Sequence, residues 1–556
     1  MDQQAKPSVT VTDIEAAERV IGIDQTAAER ALVVAGLPQQ ISLARARRAY
    51  SCDLSMAPAT VHDKNMAPAT VFDPRLPGFV MPSGGPLELP AQVTALPADD
   101  AAIAFAPIAA QIGWLRARTL TATRLTRIYL DRIERLNPTL LCYACLNPGA
   151  LDAAAALDAR AARHDWAGPL HGIPYACKDI IDTTGIVTDW GAEPYIGRLP
   201  ETDAIVVRRL REAGAILLGK SSVGALAYGD LWHGGRTRNP WNPVEGSSGS
   251  SAGSAAAAAA GLCGFSLATE TYGSIVSPST RCGTVGLRPT FGRIARTGVM
   301  ALCPSLDKIG MICRHVDDTA LILSVINGAD ASDAASFDAR FGGNLGCDLA
   351  TLRVGFFPAD LRGDGALDLD REMLGHCRAL GTTLVECHRP DLPYDSLVSI
   401  LMAEAAASFE SLTLSGRDDL LAWQDVDAWP NQFRMARFLS AVDHIQLDRL
   451  RRRVMMAMHE IFAGIDVLIG PSLAGPMLGI TNFTGHPSLC LPSGFIAAPS
   501  RIADTLAGTK TAPDARRHYV PHSISLWGNL FDEAPMLALG RALAARLMLD
   551  LRPPTA

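Results

Sequence analysis

An α/β fold is predicted for this chain by three observations. Short apolar runs that read as buried strands, at 173–177, 215–218, 352–357 and 383–386, alternate with helical periodicity at 121–136, 203–213 and 317–327. The composition is globular, 48% hydrophobic and 19% charged over 556 residues, and no run of bulky apolar side chains is long enough to span a membrane. Finally, serine and glycine fill nearly all of 246–254, and that segment runs straight into the alanines of 255–260. A flexible linker would stay polar, so this one reads as a tight loop set into a core, with glycines that let the backbone approach a ligand.

Residues 1–104 read as a helical and Pro-rich extension and 105–556 as the main domain. In the extension, 13–22 and 25–36 are expected to be helices, with Asp13 as an N-cap and Gly36 as a stop. The motif Met-Ala-Pro-Ala-Thr-Val occurs at 56–61 and again at 66–71; two copies are too few for a solenoid. An extended arm is expected here, packed on the main domain or on a second copy in a homodimer. Residues 1–8 show no basic segment followed by an apolar one, so a cytoplasmic location is expected.

Further along, Leu125, Ile128, Ile133 and Leu136 form an apolar helical stripe, and Arg124, Arg127, Arg132 and Arg135 are expected on a solvated face. The run 173–177 delivers Lys178 at its end. Gly214 is expected to stop the helix at 203–213. Residues 214–221 satisfy the phosphate-loop pattern G-x-x-x-x-G-K-S, but the four variable positions are themselves the apolar strand, whose amides a sheet would use up; nucleotide binding is rejected. Residues 395–465 read as mostly helical, with Arg449, Arg451, Arg452 and Arg453 on an exposed face. A formal charge of −7 gives no reason to expect nucleic acid. The 12 cysteines are scattered, and Cys177, Cys263, Cys313 and Cys490 sit in apolar runs as reduced core thiols would. Cys142-x-x-Cys145 has no second pair or histidine cluster to make a metal or redox site.

Three blocks carry the chemistry: 246–254 with Ser250, Thr269-Glu-Thr-Tyr-Gly-Ser-Ile with Ser274, and Leu170-His-Gly-Ile-Pro-Tyr-Ala-Cys-Lys178. Together with Cys282-Gly-Thr-Val-Gly-Leu-Arg-Pro-Thr-Phe-Gly292, in this order and at these separations, they resemble the amidase signature family over roughly 105–556. The resemblance implies a mixed central β-sheet sandwiched between helices, with 466–472 and 482–495 as late core strands, 535–549 as the final helix, and residues 1–104 as an extension. It also implies a Ser-Ser-Lys triad. Ser274 would attack the carbonyl, Ser250, on an unusual cis peptide after Gly249, would relay the proton, and Lys178 would be the base. Backbone N–H groups of Thr271, Tyr272, Gly273 and Ser274 would form the oxyanion hole. The variable helical region would shape the acyl pocket, which makes Phe409, Trp423, Trp429 and Phe433 its candidate lining.

Residue chemistry agrees with such a base. No histidine near the serine blocks looks like one, since His171 lies in the loop before the strand and His233 in a polar turn. Of the six lysines, Lys178 alone follows a fully apolar strand. A lysine serves as a base only when neutral, which requires lowering its pKa by ~3 units, about 4 kcal/mol, within reach of burial and hydrogen bonding. No metal or organic cofactor is needed. The expected reaction is hydrolysis of a carboxamide, and by extension an ester or carbamate, of a hydrophobic or aryl small molecule through an acyl-enzyme. The alternative is the amidase component of a tRNA-dependent amidotransferase. This sequence departs from the family's commonest pattern in having Tyr272 for a glycine, Val276 for an arginine, and no acidic residue after Gly219-Lys220. Gly249-Ser-Ser251-Ala-Gly253 also fits G-x-S-x-G, but Asn-Pro-Trp-Asn-Pro before it cannot be the buried strand that a nucleophile elbow requires.

Overall fold

The computed structural model describes residues 9–53, 69–85, 87–88, 94–501 and 516–554. Its centre is an eleven-stranded mixed sheet. In chain order the strands are β1 (Tyr143–Leu146), β2 (Pro174–Lys178), β3 (Ile216–Ser221), β4 (Phe265–Glu270), β5 (Val285–Arg288), β6 (Lys308–Cys313), β7 (Arg353–Phe356), β8 (Thr383–Glu386), β9 (Val467–Pro471), β10 (Ser488–Pro499) and β11 (Arg517–Gly528). Their spatial order is β8-β7-β9-β11-β10-β5-β6-β4-β2-β3-β1. β2 pairs in parallel with both β3 and β4, β7 in parallel with β8 and β9, and the strands between are antiparallel. Every residue of β2, β3 and β4 is buried, as expected for strands covered by helices on both faces.

The strand expected at 215–218 extends to Ser221, because the polar end finds partners: Lys220 Nζ donates to the carbonyl of Ile181 and, at 3.2 Å, to Thr183 Oγ1. β3 is hydrogen-bonded along both edges, to β2 and β1, so the phosphate-loop pattern has no free amides to offer. Gly214 does end the preceding helix, Ile205–Glu212, at φ +85°.

Helices cover the sheet, and two arginine assignments need correcting. Helix α1 (Ala122–Leu140) buries Arg132 along with Leu125, Ile128 and Ile133, whereas Arg124, Arg127 and Arg135 are exposed. Arg132 donates to the carbonyls of Ala260 and Gly261 at 2.8 and 2.9 Å. Those groups end α2 (Ala252–Ala259), where a cation also meets the negative end of the helix dipole. On α3 (Ala441–Ala463) Arg451 is buried while Arg449, Arg452 and Arg453 are exposed. Its guanidinium lies 3.4 Å from the Phe72 ring centroid and donates to the carbonyls of Phe483 and Ser305, each at 2.7 Å.

In the extension, the first helix is Val11–Ile21, capped by Thr10; Asp13 is its capping-box partner rather than the N-cap. The second runs Ala27–Asp53, straight through Gly36 and Pro38; a lone glycine costs a helix only ~1 kcal/mol and does not by itself end it. Most of the ten-residue duplication lies outside the described residues. Beyond it, 69–85 packs on the main body, with Phe72 edge-on to Phe291 at 5.0 Å and Phe79 to Phe531 at 6.0 Å. Helix Asp100–Phe105 sends Ile103 and Ala104 into the main core, so the body starts ahead of residue 105.

Candidate active site

Lys178 leaves the end of β2 with its amine wholly buried. Three segments converge on it. The loop 247–251 precedes α2 and contains a cis peptide between Gly249 and Ser250. The loop is held by Asp230, whose carboxylate accepts from the Ser248 amide at 2.9 Å. Glycine is required at 249 because a Cβ there would sit 1.8 Å from the Gly229 carbonyl oxygen. Lys178 Nζ contacts Ser250 Oγ and Ser251 Oγ, both at 2.9 Å, Thr269 Oγ1 at 2.8 Å and the Thr269 carbonyl at 3.2 Å. Burial drives the lysine pKa well below its ordinary value, and the distant charges of Asp307 and Glu270 oppose this only in part.

The two serines beside Lys178 differ in what their protons can do. The Ser251 hydroxyl donates to the Thr269 carbonyl at 3.0 Å and accepts from the Thr269 amide at 3.3 Å, and the side chain is fully buried. Its proton is committed to Thr269, whereas the Ser250 hydroxyl donates to nothing among the described residues. Ser251 lacks the exposure that an elbow nucleophile needs. Ser274 is partly exposed. Its carbonyl accepts from the Ser251 amide at 3.1 Å, which ties the two loops together. Among the described residues no hydrogen bond joins the hydroxyls of Ser250 and Ser274.

The turn after β4 is organised around a buried carboxylate. Glu270 Oε2 accepts from the amides of Ile275 and Val276 at 2.8 and 3.0 Å, and Oε1 from Arg288 at 2.5 Å and Asn482 at 2.9 Å. Burial raises the carboxyl pKa, but the Arg288 guanidinium and the two amides outweigh it and hold the group below its usual range. The preceding four amides, Thr271 to Ser274, donate to nothing among the described residues. Four consecutive free N–H groups around a glycine at φ +97° are what an oxyanion hole is built from.

The structure therefore brings Lys178, Ser250 and the Thr271–Ser274 turn together, and adds Ser251, Thr269, Glu270, Arg288 and Asn482. The first three lie within the blocks read from the sequence. Arg288 and Asn482 arrive from β5 and from helix α4 (Met477–Thr484); Arg288 lies in the Cys282–Gly292 block and Asn482 opens the 482–495 stretch, but no local pattern marked either as a site residue. Lys178 is not the only buried lysine. Lys220 and Lys308 are buried too, but they donate to the carbonyls of Ile181 and Leu306 and to no serine of the blocks.

The aromatic pocket candidates need partial correction. Phe409 and Phe433 stack at 5.5 Å and are sealed in the core, where nothing can touch them. Trp429 stacks on Phe433 at 5.0 Å and donates its indole N–H to the Leu226 carbonyl at 3.0 Å. Trp423 and Trp429 lie 5.1 and 5.0 Å from Tyr228. Periodicity cannot separate a core aromatic from a pocket aromatic, since both face inward. Among the described residues no helix is long and apolar enough to cross a membrane.

Comparison with known proteins identifies the family. The family model for amidases matches residues 124–534. One glutamyl-tRNA(Gln) amidotransferase subunit, from Oleidesulfovibrio alaskensis, is 32% identical over 489 residues, covering 77% of this chain and 94% of that protein. Its counterpart from Nitratidesulfovibrio vulgaris is 34% identical over 475 residues, covering 75% and 92%. The native peptide amidase of Stenotrophomonas maltophilia has the same fold, with a TM-score of 0.68 and 27% identity over 80% of this chain and 98% of that one. The expectation of no nucleic-acid partner is overturned by the first two, whose names tie them to tRNA. The net charge of one polypeptide does not decide what its complex handles. A sheet, a buried lysine between two serine loops and a matched stretch of this length together place the chain in the amidase signature family, among hydrolases of amide C–N bonds.

Proposed function

We propose that Ser274, Ser250 and Lys178 cleave a carboxamide through an acyl-enzyme. The observation that carries this reading is the buried Lys178 amine, in hydrogen-bond contact with Ser250 and, among the described residues, with no carboxylate paired to it. A serine hydroxyl is a weak nucleophile until a base takes its proton. With substrate in place the Ser250–Ser274 contact closes, as catalytic hydrogen bonds do on forming the complex. Ser274 Oγ then bonds to the carbonyl carbon while its proton passes to Ser250 and the Ser250 proton to neutral Lys178. The carbonyl oxygen takes the negative charge among the 271–274 amides, each such donor being worth ~3 to 4 kcal/mol. The C–N bond breaks as the proton returns through Ser250 to the leaving nitrogen. Water repeats the sequence on the ester, releasing the acid and restoring Ser274.

The curated relatives favour a second reading of the same chemistry: the chain would serve as the amidase component of a tRNA-dependent amidotransferase, with a partner that activates the acceptor. The peptide amidase neighbour favours a self-sufficient hydrolase. The purified chain alone, given primary amides, aryl amides, esters and carbamates, distinguishes them. Turnover without partner or ATP supports the self-sufficient enzyme, and glutaminase activity that appears only with partner subunits supports the other. In either case Ser274→Ala is expected to abolish turnover and labelling by a fluorophosphonate. Ser251→Ala is expected to retain part of both; a nucleophile at Ser251 would give the reverse.

A further inference from the structure

Of the turn that carries the four free amides, Thr271 and Gly273 are buried and only Tyr272 and Ser274 reach the surface. Tyr272 is 39% exposed. A carbonyl placed over those amides and in reach of Ser274 therefore lies next to Tyr272. One side of that ring is fixed by α4: it lies 5.9 Å from Phe483, and a Cβ added at Gly479 would come within 2.8 Å of the phenol oxygen and 3.3 Å of Cε2. The next residue is seated on the same helix, since a Cβ on Gly273 would meet Leu478 at 3.2 Å. Helix and ring are thus fitted to each other, and Gly479 is the position that makes room. Among the described residues the phenol has no hydrogen-bond partner, so what holds the ring is packing.

We propose that Tyr272, backed by Gly479, is a specificity-determining residue, a flat wall against which the group flanking the scissile carbonyl lies. The inference rests on Ser274 being the nucleophile. The substrates it selects are amides with a planar apolar group close to the carbonyl, such as aryl and arylalkyl amides. Short aliphatic or polar amides such as glutamine have nothing to stack on the ring. An aromatic contact of this kind contributes a factor of roughly three to ten in binding.

The test compares 3-phenylpropanamide, propionamide and glutamine as substrates of the full chain, by ammonia release. The wild type is expected to prefer 3-phenylpropanamide through KM. Tyr272→Ala should reduce that preference roughly three- to tenfold, and Tyr272→Phe should keep it. Gly479→Ala, which alters no atom of the ring and improves helix propensity, should displace the phenol and reduce the preference as well. Combined with Tyr272→Ala it should add nothing. A Tyr272→Ala variant that loses the substrates equally, or a Gly479→Ala effect undiminished in the double variant, overturns the wall. Fluorophosphonate labelling separates the two levels. If wild-type Ser274 is not labelled, the nucleophile assignment fails and the wall with it; if labelling is intact and selectivity is unmoved, only the wall fails.

Discussion

A lysine with an ordinary pKa is uncharged at neutral pH in less than about one molecule in a thousand, so the fate of one side chain decides whether this site has a base. Burial drives Lys178 well below the usual lysine value. Turnover is accordingly expected to fall on the acid side as the amine gains a proton and to reach a plateau above its folded pKa, and kcat/KM against pH measures this. Lys178→Met should abolish turnover. It should also raise the melting temperature at neutral pH. Between the folded pKa and the ordinary value of 10.5 the unfolded chain binds a proton that the folded chain does not, so the wild-type lysine opposes folding throughout that window, and less so as pH rises. The gain in melting temperature should therefore shrink toward high pH. At this scale much was legible: a lysine ending an apolar strand and serines in Gly-rich loops are local patterns. That Ser251 would be locked onto Thr269 while Ser250 stayed free was not, because neighbouring hydroxyls in one loop are distinguished only by what folds against them.

Among the elements, α4 and the turn after β4 act together. Asn482 and Phe483 of α4 reach Glu270 and the Tyr272 ring, and Glu270 in turn holds the amides that follow the nucleophile. Arg288 and Glu270 are both fully buried. Glu270→Gln would leave the guanidinium charged and unpaired, which costs about 3–5 kcal/mol in such sites. A lower melting temperature is expected, together with a fall in kcat larger than any rise in KM, since the turn that carries the proposed oxyanion amides loses its anchor at Ile275 and Val276; calorimetry and steady-state kinetics measure both. Arg132 and Arg451 show where the sequence reading failed, both being expected on a solvated helix face. Charge argued for solvent, and the carbonyls of Ala260, Gly261, Phe483 and Ser305 reversed it, because a guanidinium can be buried where it satisfies carbonyls that would otherwise lack donors.

For the molecule as a whole, the extension divides into parts of different weight. Among the described residues, the first two helices meet the body at the ion pair between exposed Arg47 and half-buried Glu410. Removing residues 1–53 is expected to leave kcat/KM within about twofold, since among the described residues these helices place no side chain in the site, and to shift the unfolding transition less than the longer deletion does. Removal through residue 104 should destabilise the fold severely, because Ile103 and Ala104 leave the core and the contacts of Phe72 with Phe291 and of Phe79 with Phe531 are lost; thermal unfolding of the two truncations tests the contrast. The sequence by itself determined the α/β class, the strands around the site and the three blocks that bear the lysine and serines, because backbone period and glycine-rich turns are encoded over a few neighbouring residues. Only the tertiary structure decided that Ser251 is bonded to Thr269, which aromatics are buried in the core and which arginines are buried. Each of those depends on carbonyls, rings and carboxylates brought from distant segments of the chain, and no local pattern records the desolvation they impose.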